Sequence, residues 1–171
     1  AALRNAVELA ELGTWSLDIA TSLTTLSQRH MEMLGLDSPI ASPEKLLSII
    51  MEKDRKKVEN AFYTAVNPGS ESRYEAEYEL VNDKTGEHRI VRAMGQVYYD
   101  KNMNPIKIAG TAQDITNQRR TQFALEAEVQ KRTKELADAN ESLNNTIKEL
   151  NRSNSHLEEF AHAASHDLKE P

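Results

Sequence analysis

The chain has 171 residues, a formal net charge of −6 and no cysteine, a length that suits one globular domain plus an extended element. Without thiols it forms no disulfide, no thiolate metal site and no cysteinyl–flavin adduct. An acidic balance with no basic stripe argues against nucleic acid, and no apolar run reaches the ~18 residues of a membrane span, so no membrane contact is expected.

Ala1–Leu12 reads as a short amphipathic helix, with Leu3, Val7 and Leu9 apolar and Gly13 as its stop. Thr14–Ile19 alternates, with Trp15, Leu17 and Ile19 on one face, as a half-buried strand does. After a turn at Ala20–Ser22, Leu23–Gln28 is the second strand of a hairpin. Arg29–Leu34 is a short helix closed by Gly35. Ser42 and Pro43 cap and open a helix to Ile50, and Asp54 is expected to cap another over Arg55–Val66. Tyr74–Leu80 alternates cleanly, with Glu75, Glu77 and Glu79 on the face expected to meet solvent. A turn at Asn82–Gly86 leads to a long strand, His88–Tyr99, and a turn at Asp100–Pro105 leads to the last, Ile106–Ile115. Two strands, several short helices and three strands predict an α+β fold: a five-stranded antiparallel sheet with its helices on one face.

From Thr111 to Glu170 there is neither Gly nor Pro, so nothing interrupts a helix by the usual means. Apolar positions recur there every seven residues. Val129, Leu136, Leu143, Leu150, Leu157 and Ala164 form one row; Thr133, Asn140, Ile147, Asn154, Ala161 and Leu168 form another, three residues before members of the first. This is the seam of a left-handed coiled coil, with the first row at d and the second at a. Leu at d with single Asn residues at a, here Asn140 and Asn154, favours two parallel strands in fixed register, so a parallel homodimer is expected. Upstream, Leu125, Val129, Thr133 and Leu136 are spaced 4-4-3, a stutter, while strict heptads would put Glu126, Gln122 and Arg119 at core positions. A helix from Thr116 to Pro171 would be on the order of 80 Å long. In this register Ser165 is e, His166 f and Asp167 g, which holds the His166 ring outward beside a carboxylate.

The closing stretch, Phe160-Ala-His-Ala-Ala-Ser-His166-Asp167-Leu-Lys-Glu-Pro171, resembles the phosphoacceptor box of dimeric sensor histidine kinases. The resemblance implies that His166 takes the phosphoryl group from ATP and that Asp167 orients the ring and accepts its proton. It also implies a parent enzyme using ATP and Mg, a response-regulator receiver domain as partner, and a cytoplasmic location. His162 lacks a following acid and reads as a surface residue. The chain starts inside a helix and stops inside this motif, so it is expected to be an excised piece, inactive alone without the ATP-binding domain.

Residues 10 to 116 resemble a PAS sensor domain. Gly13-Thr14-Trp15-Ser16-Leu17-Asp18 is similar to its first strand, Met33-Leu34-Gly35-Leu36 to its short helix and turn, and Gly110–Thr116 to its last strand. Asp114, Ile115 and Thr116 match the junction into the output helix, which the resemblance makes a coupling site. Two departures stand out: Ser22-Leu23 where members commonly place Gly, and Met51-Glu52-Lys53-Asp54 in place of His-Pro-Asp-Asp. The expected organisation is an N-terminal helix (1–12), a PAS-like domain (13–116), a coiled-coil signalling helix (117–158) and a truncated phosphoacceptor segment (159–171).

Other residues read as structural. Trp15 belongs in the core, since it lies on the apolar side of its strand. His30 and His88 lack the context of haem ligands. Met31, Met33, Met51 and Met94 are gap-fillers. Glu75, Glu77 and Glu79 form a solvated face with no His to make a metal site. Nothing in the sequence selects a PAS ligand. The alternatives to a kinase sensor are a dimerisation or protein-interaction module with a spacer helix, and a small-ligand receptor domain without kinase output.

Overall fold

A computed structural model of the chain describes residues 12–67 and 69–167, with side chains as far as His162. In order, the elements are β1 (Gly13–Asp18), β2 (Thr24–Leu26), α1 (Gln28–Leu34), β3 (Ile40–Ala41), α2 (Pro43–Ile49), α3 (Glu52–Val66), β4 (Arg73–Val81), β5 (His88–Tyr99), β6 (Pro105–Asp114) and α4 (Thr116–Asp167). The helix expected over Ala1–Leu12 lies outside the described residues, apart from Leu12, which is not helical. The chain divides into two units between Arg120 and Thr121. The first holds the sheet and the first turn of α4; the second holds the rest of α4.

The sheet runs β3-β2-β1-β6-β5-β4, antiparallel throughout. It has six strands where five were expected, because β3 is two residues long and carries no alternation to read. The alternation of β4 is realised: Tyr74, Ala76, Tyr78 and Leu80 are buried. With Val91, Ala93, Val97, Ile108 and Ala112 of β5 and β6 they floor one core, against which Leu46, Leu47, Val58, Ala61 and Phe62 of α2 and α3 pack.

Three local details position the site. Ser27 ends β2 early. Its Oγ accepts from the amide of His30 at 3.3 Å as the N-cap of α1, and from the amide of Thr14 at 2.9 Å, which ties α1 to β1. Asp54 does not cap α3. That helix begins at Glu52 with no side-chain cap, and the Asp54 carboxylate accepts from the Glu79 amide of β4 at 2.8 Å. A tertiary donor has won over the local one. Asn82, in the β4–β5 turn, is 2% exposed. Its Oδ1 accepts from the amides of Lys84 and Thr85, and its Nδ2 donates to the carbonyls of Glu32 and Met33, stitching the turn to the end of α1. Ser22 has a left-handed backbone, φ 59°, the conformation that favours Gly, the residue the sequence comparison expects there.

Candidate functional site

Between the sheet and helices α1–α3 lies a cavity of about 350 Å³. Its wall is mainly apolar, with Leu26, Leu46, Ile50, Phe62 and Ile108 among its members. Two aromatic residues from different strands meet in it: Trp15 of β1 and Tyr74 of β4 pack edge to face, ring centres 5.3 Å apart. The Trp15 ring also lies over Gly95 of β5, where any Cβ would come within 3.0 Å of it.

His30, the third residue of α1, enters the same cavity. It shares the inward face of that helix with Met33 and Leu34 and is 4% exposed. It is packed so tightly on β1 that a Cβ at Gly13 would stand 2.8 Å from its own Cβ. Burial pushes its imidazole down to about 4, partly offset by its approach to the Thr14 backbone. Beyond that approach the His30 ring nitrogens have no hydrogen-bond partner among the described residues, Trp15 Nε1 has none, and all three atoms are closed off from solvent. Burial pushes the phenol of Tyr74 up to about 12 and raises that of Tyr78 further, so both stay neutral. None of Met31, Met33, Met51 or Met94 lines the cavity. Sequence reasoning passed over His30; its i, i+3, i+4 spacing with Met33 and Leu34 was the available signal.

The second functional region is the start of α4. Asp114 Oδ1 accepts from the amide of Thr116 at 3.0 Å and from its hydroxyl at 2.5 Å. Thr116 Oγ1 in turn accepts from the amide of Ile90 at 2.8 Å. The Ile115 amide donates to the Ile90 carbonyl, its side chain is buried, and the Arg119 amide donates to the Ile115 carbonyl as the first helical bond. The three junction residues thus form one knot that fastens the α4 N-terminus to β5. Arg119 completes it. Its Nε and Nη2 donate to the two carboxylate oxygens of Glu77 at 2.7 and 2.6 Å.

That fork belongs to a row of ion pairs. Glu75, Glu77 and Glu79, expected to be a solvated face, are paired with Arg92, Arg119, and Lys53 plus His88. The Arg92 guanidinium holds the Glu75 carboxyl below its ordinary value, Arg119 does so for Glu77, and Lys53 followed by His88 does so for Glu79. His88 Nδ1 lies 2.8 Å from Glu79 Oε1, and His88 is not on the cavity wall. Among the described residues no cluster of His, Asp and Glu could hold a metal ion.

Along α4 the seam residues Val129, Leu136, Leu143, Ile147, Leu150 and Leu157 are exposed in the single chain. So are Asn140 and Asn154. Thr133, at an a position, turns its hydroxyl onto the Val129 carbonyl at 2.8 Å. His162 is exposed. His166 and Asp167 are the last residues of the helix, and their side chains lie outside those described. Among the described residues no helix is long and apolar enough to cross a membrane.

A small α+β domain with an internal cavity, whose last strand runs straight into a long helix, has the build of a sensory module. The PAS-fold family model matches residues 23–112, more than half of the chain, and the chain belongs to that family. Solved structures agree. A sensory box histidine kinase/response regulator of Burkholderia thailandensis E264 is 21% identical with a TM-score of 0.65, covering 77% of this chain and 97% of that one. The N-terminal domain of a diguanylate cyclase with PAS/PAC sensor from Marinobacter aquaeolei is 19% identical, TM-score 0.56, over 63% and 98%. A domain from Haloarcula marismortui, of a histidine kinase described as light and redox sensing, is 18% identical, TM-score 0.54, over 67% and 98%. At these identities the likeness establishes the fold. No curated protein matches the chain.

Proposed function

We propose that this chain is the sensory and dimerisation part of a two-component sensor histidine kinase, with the PAS cavity as input and His166 as phosphoacceptor. The observation that carries the reading is the continuity of α4. One unbroken helix runs from the Asp114–Thr116 knot to the His166-Asp167 pair, with an apolar heptad row left exposed for a second copy. Two of the similar folds described above come from histidine kinases. In the proposed reaction the His166 imidazole attacks the γ-phosphorus of Mg-bound ATP. A P–N bond forms, the P–O bond to ADP breaks, and Asp167 takes the proton from the other ring nitrogen. The phosphoryl group then passes to an aspartate of a response-regulator receiver domain, in the cytoplasm. A signal acts by shifting the dimer between two arrangements of the helix pair.

The test supplies a histidine-kinase ATP-binding domain in trans with labelled ATP and Mg. Wild type should be labelled and His166→Gln should not. Equal labelling of both removes the site assignment. A chain that sediments as a monomer at micromolar concentration removes the paired helix.

A further inference from the structure

The two ends of the cavity differ in chemistry. Most of its wall is apolar and buried or half-buried, and its exposed members are Ser22 of the β1–β2 turn and Glu59 and Tyr63 of α3. The opening is therefore at this end. Glu59 is also the one carboxylate on the wall, and no Lys, Arg or Asp lines the cavity with it. His30, further along the wall, is uncharged at neutral pH because burial holds it at about 4.

Glu59 and Tyr63 stand four residues apart on α3, which makes them neighbours on one face of the helix, with Cβ atoms roughly 6 Å apart. Tyr63 is 67% exposed and packs edge to face with Phe62, ring centres 5.4 Å apart, so the aromatic lining continues from the opening inward. Arg55, one turn before Glu59, is its natural i, i+4 partner. The Arg55 Nε donates instead to the Ile50 carbonyl at 3.0 Å, and no ion pair of Glu59 occurs among the described residues.

A carboxylate and an aromatic ring thus stand at the mouth of an apolar chamber. An anionic ligand would meet Glu59 with no cation on the wall to offset it. A neutral ligand could fill the chamber but would gain nothing from the mouth. A cation at the mouth pairs with the carboxylate, lies against the Tyr63 ring and keeps part of its hydration, whereas a charge carried deeper would shed its water among apolar groups. At ~30 Å³ per small group, the chamber admits an apolar body of roughly a dozen non-hydrogen atoms.

We propose that the cavity takes a primary amine with an apolar body, the body in the chamber and the ammonium at the mouth with Glu59 and Tyr63. The proposal rests on the reading of this cavity as the input site and adds the chemistry of what enters it.

Three matched probes test it on the full chain: 3-phenylpropylamine, the neutral 3-phenylpropan-1-ol and the anion 3-phenylpropanoate. The chain has a single tryptophan, and it stands on the cavity wall, so one indole N–H resonance in a proton–nitrogen NMR spectrum reports occupancy without ambiguity. The amine should move that resonance saturably and bind about fivefold more tightly than the alcohol, the ratio that one exposed ion pair with an aromatic contact confers. The propanoate should bind more weakly than the alcohol. Glu59→Gln should bind the alcohol as wild type does and lose the preference for the amine. Equal affinities for amine and alcohol in wild type, or an amine preference that survives in Glu59→Gln, would overturn the proposal. An indole resonance unmoved by all three probes at millimolar concentration would overturn it too, since the chamber would then hold no ligand of this size. None of these readouts involves phosphoryl transfer, so failure of the His166 assignment leaves them untouched, and their failure leaves His166 untouched.

Discussion

Arg119→Ala separates a structural knot from a passive surface pair. Arg119 and Glu77 are joined by two parallel hydrogen bonds, and their side chains are 31% and 28% exposed. Exposed ion pairs contribute ~0–1 kcal/mol, and fork geometry with partial burial puts this one at the upper end, about 1 kcal/mol. Removing Arg119 does not strand a bare carboxylate, because Lys57 and Arg92 still act on Glu77. The loss should therefore stay near that figure and lower the unfolding midpoint of the PAS domain by about 4 °C. Thermal unfolding followed by Trp15 fluorescence, for wild type, Arg119→Ala, Glu77→Gln and the double variant, gives the coupling energy directly. The pH dependence has a definite sign. Arg119 depresses the folded-state pKa of Glu77 below the ordinary 4.5, so the coupling is complete above pH 4.5 and fades as the pH falls below it. A coupling near zero at pH 7, or one that grows in acid, would refute the argument.

Two further outcomes are expected. Burial holds the His30 imidazole at about 4 against an ordinary 6.5, so below pH 6.5 the unfolded chain takes up a proton that the folded one refuses. Stability should fall by about 2 kcal/mol between pH 7 and pH 5 through this residue alone. His30→Leu should flatten the midpoint-versus-pH curve over that range; parallel curves for the two proteins would sink the idea. In the proposed coiled coil, Asn140→Leu with Asn154→Leu should raise the melting temperature of the helix while loosening its choice of partner number. Analytical ultracentrifugation should then find species larger than the wild-type dimer, and a variant that remained strictly dimeric would remove the register role of the two asparagines.

The parts legible in the sequence are those whose signal is local and periodic. The Leu136–Leu157 heptads and the Tyr74–Leu80 alternation each repeat a spacing several times, and the helix and the strand stand where the spacing put them. Asp54 shows the limit. A carboxylate ahead of a helix looks like a cap, yet a backbone amide of β4, distant in sequence, claims it. Arg119 shows it again: strict heptads would put it in the seam and the stutter leaves it without a role, whereas its partner Glu77 lies 42 residues away. The cavity is harder still, because Trp15, His30, Phe62 and Tyr74 come from four separate elements and share no spacing. His30 was legible as an inward helix residue, but not as one pressed onto Gly13 of β1, since that contact is a property of the packed molecule.

The strand register gives the proposed sensor a short physical route. Trp15 of β1 pairs with Gly110 of β6, and Gly13, which seats His30, pairs with Ala112. Trp15 and His30 thus both bear on the strand that ends at Asp114, and Asp114 holds the first amide of α4. A ligand in the cavity that shifted Trp15 or His30 would therefore load β1 against β6 a few residues before the knot. Nothing needs to cross the core, since an antiparallel ladder transmits displacement along its hydrogen bonds. The knot gathers two hydrogen bonds accepted by Asp114, one accepted by Thr116, the Ile115–Ile90 backbone bond and one part-buried fork. A displacement carried along β6 would meet those bonds before it reached α4, which is where a joint between a sensor and its output helix has to act.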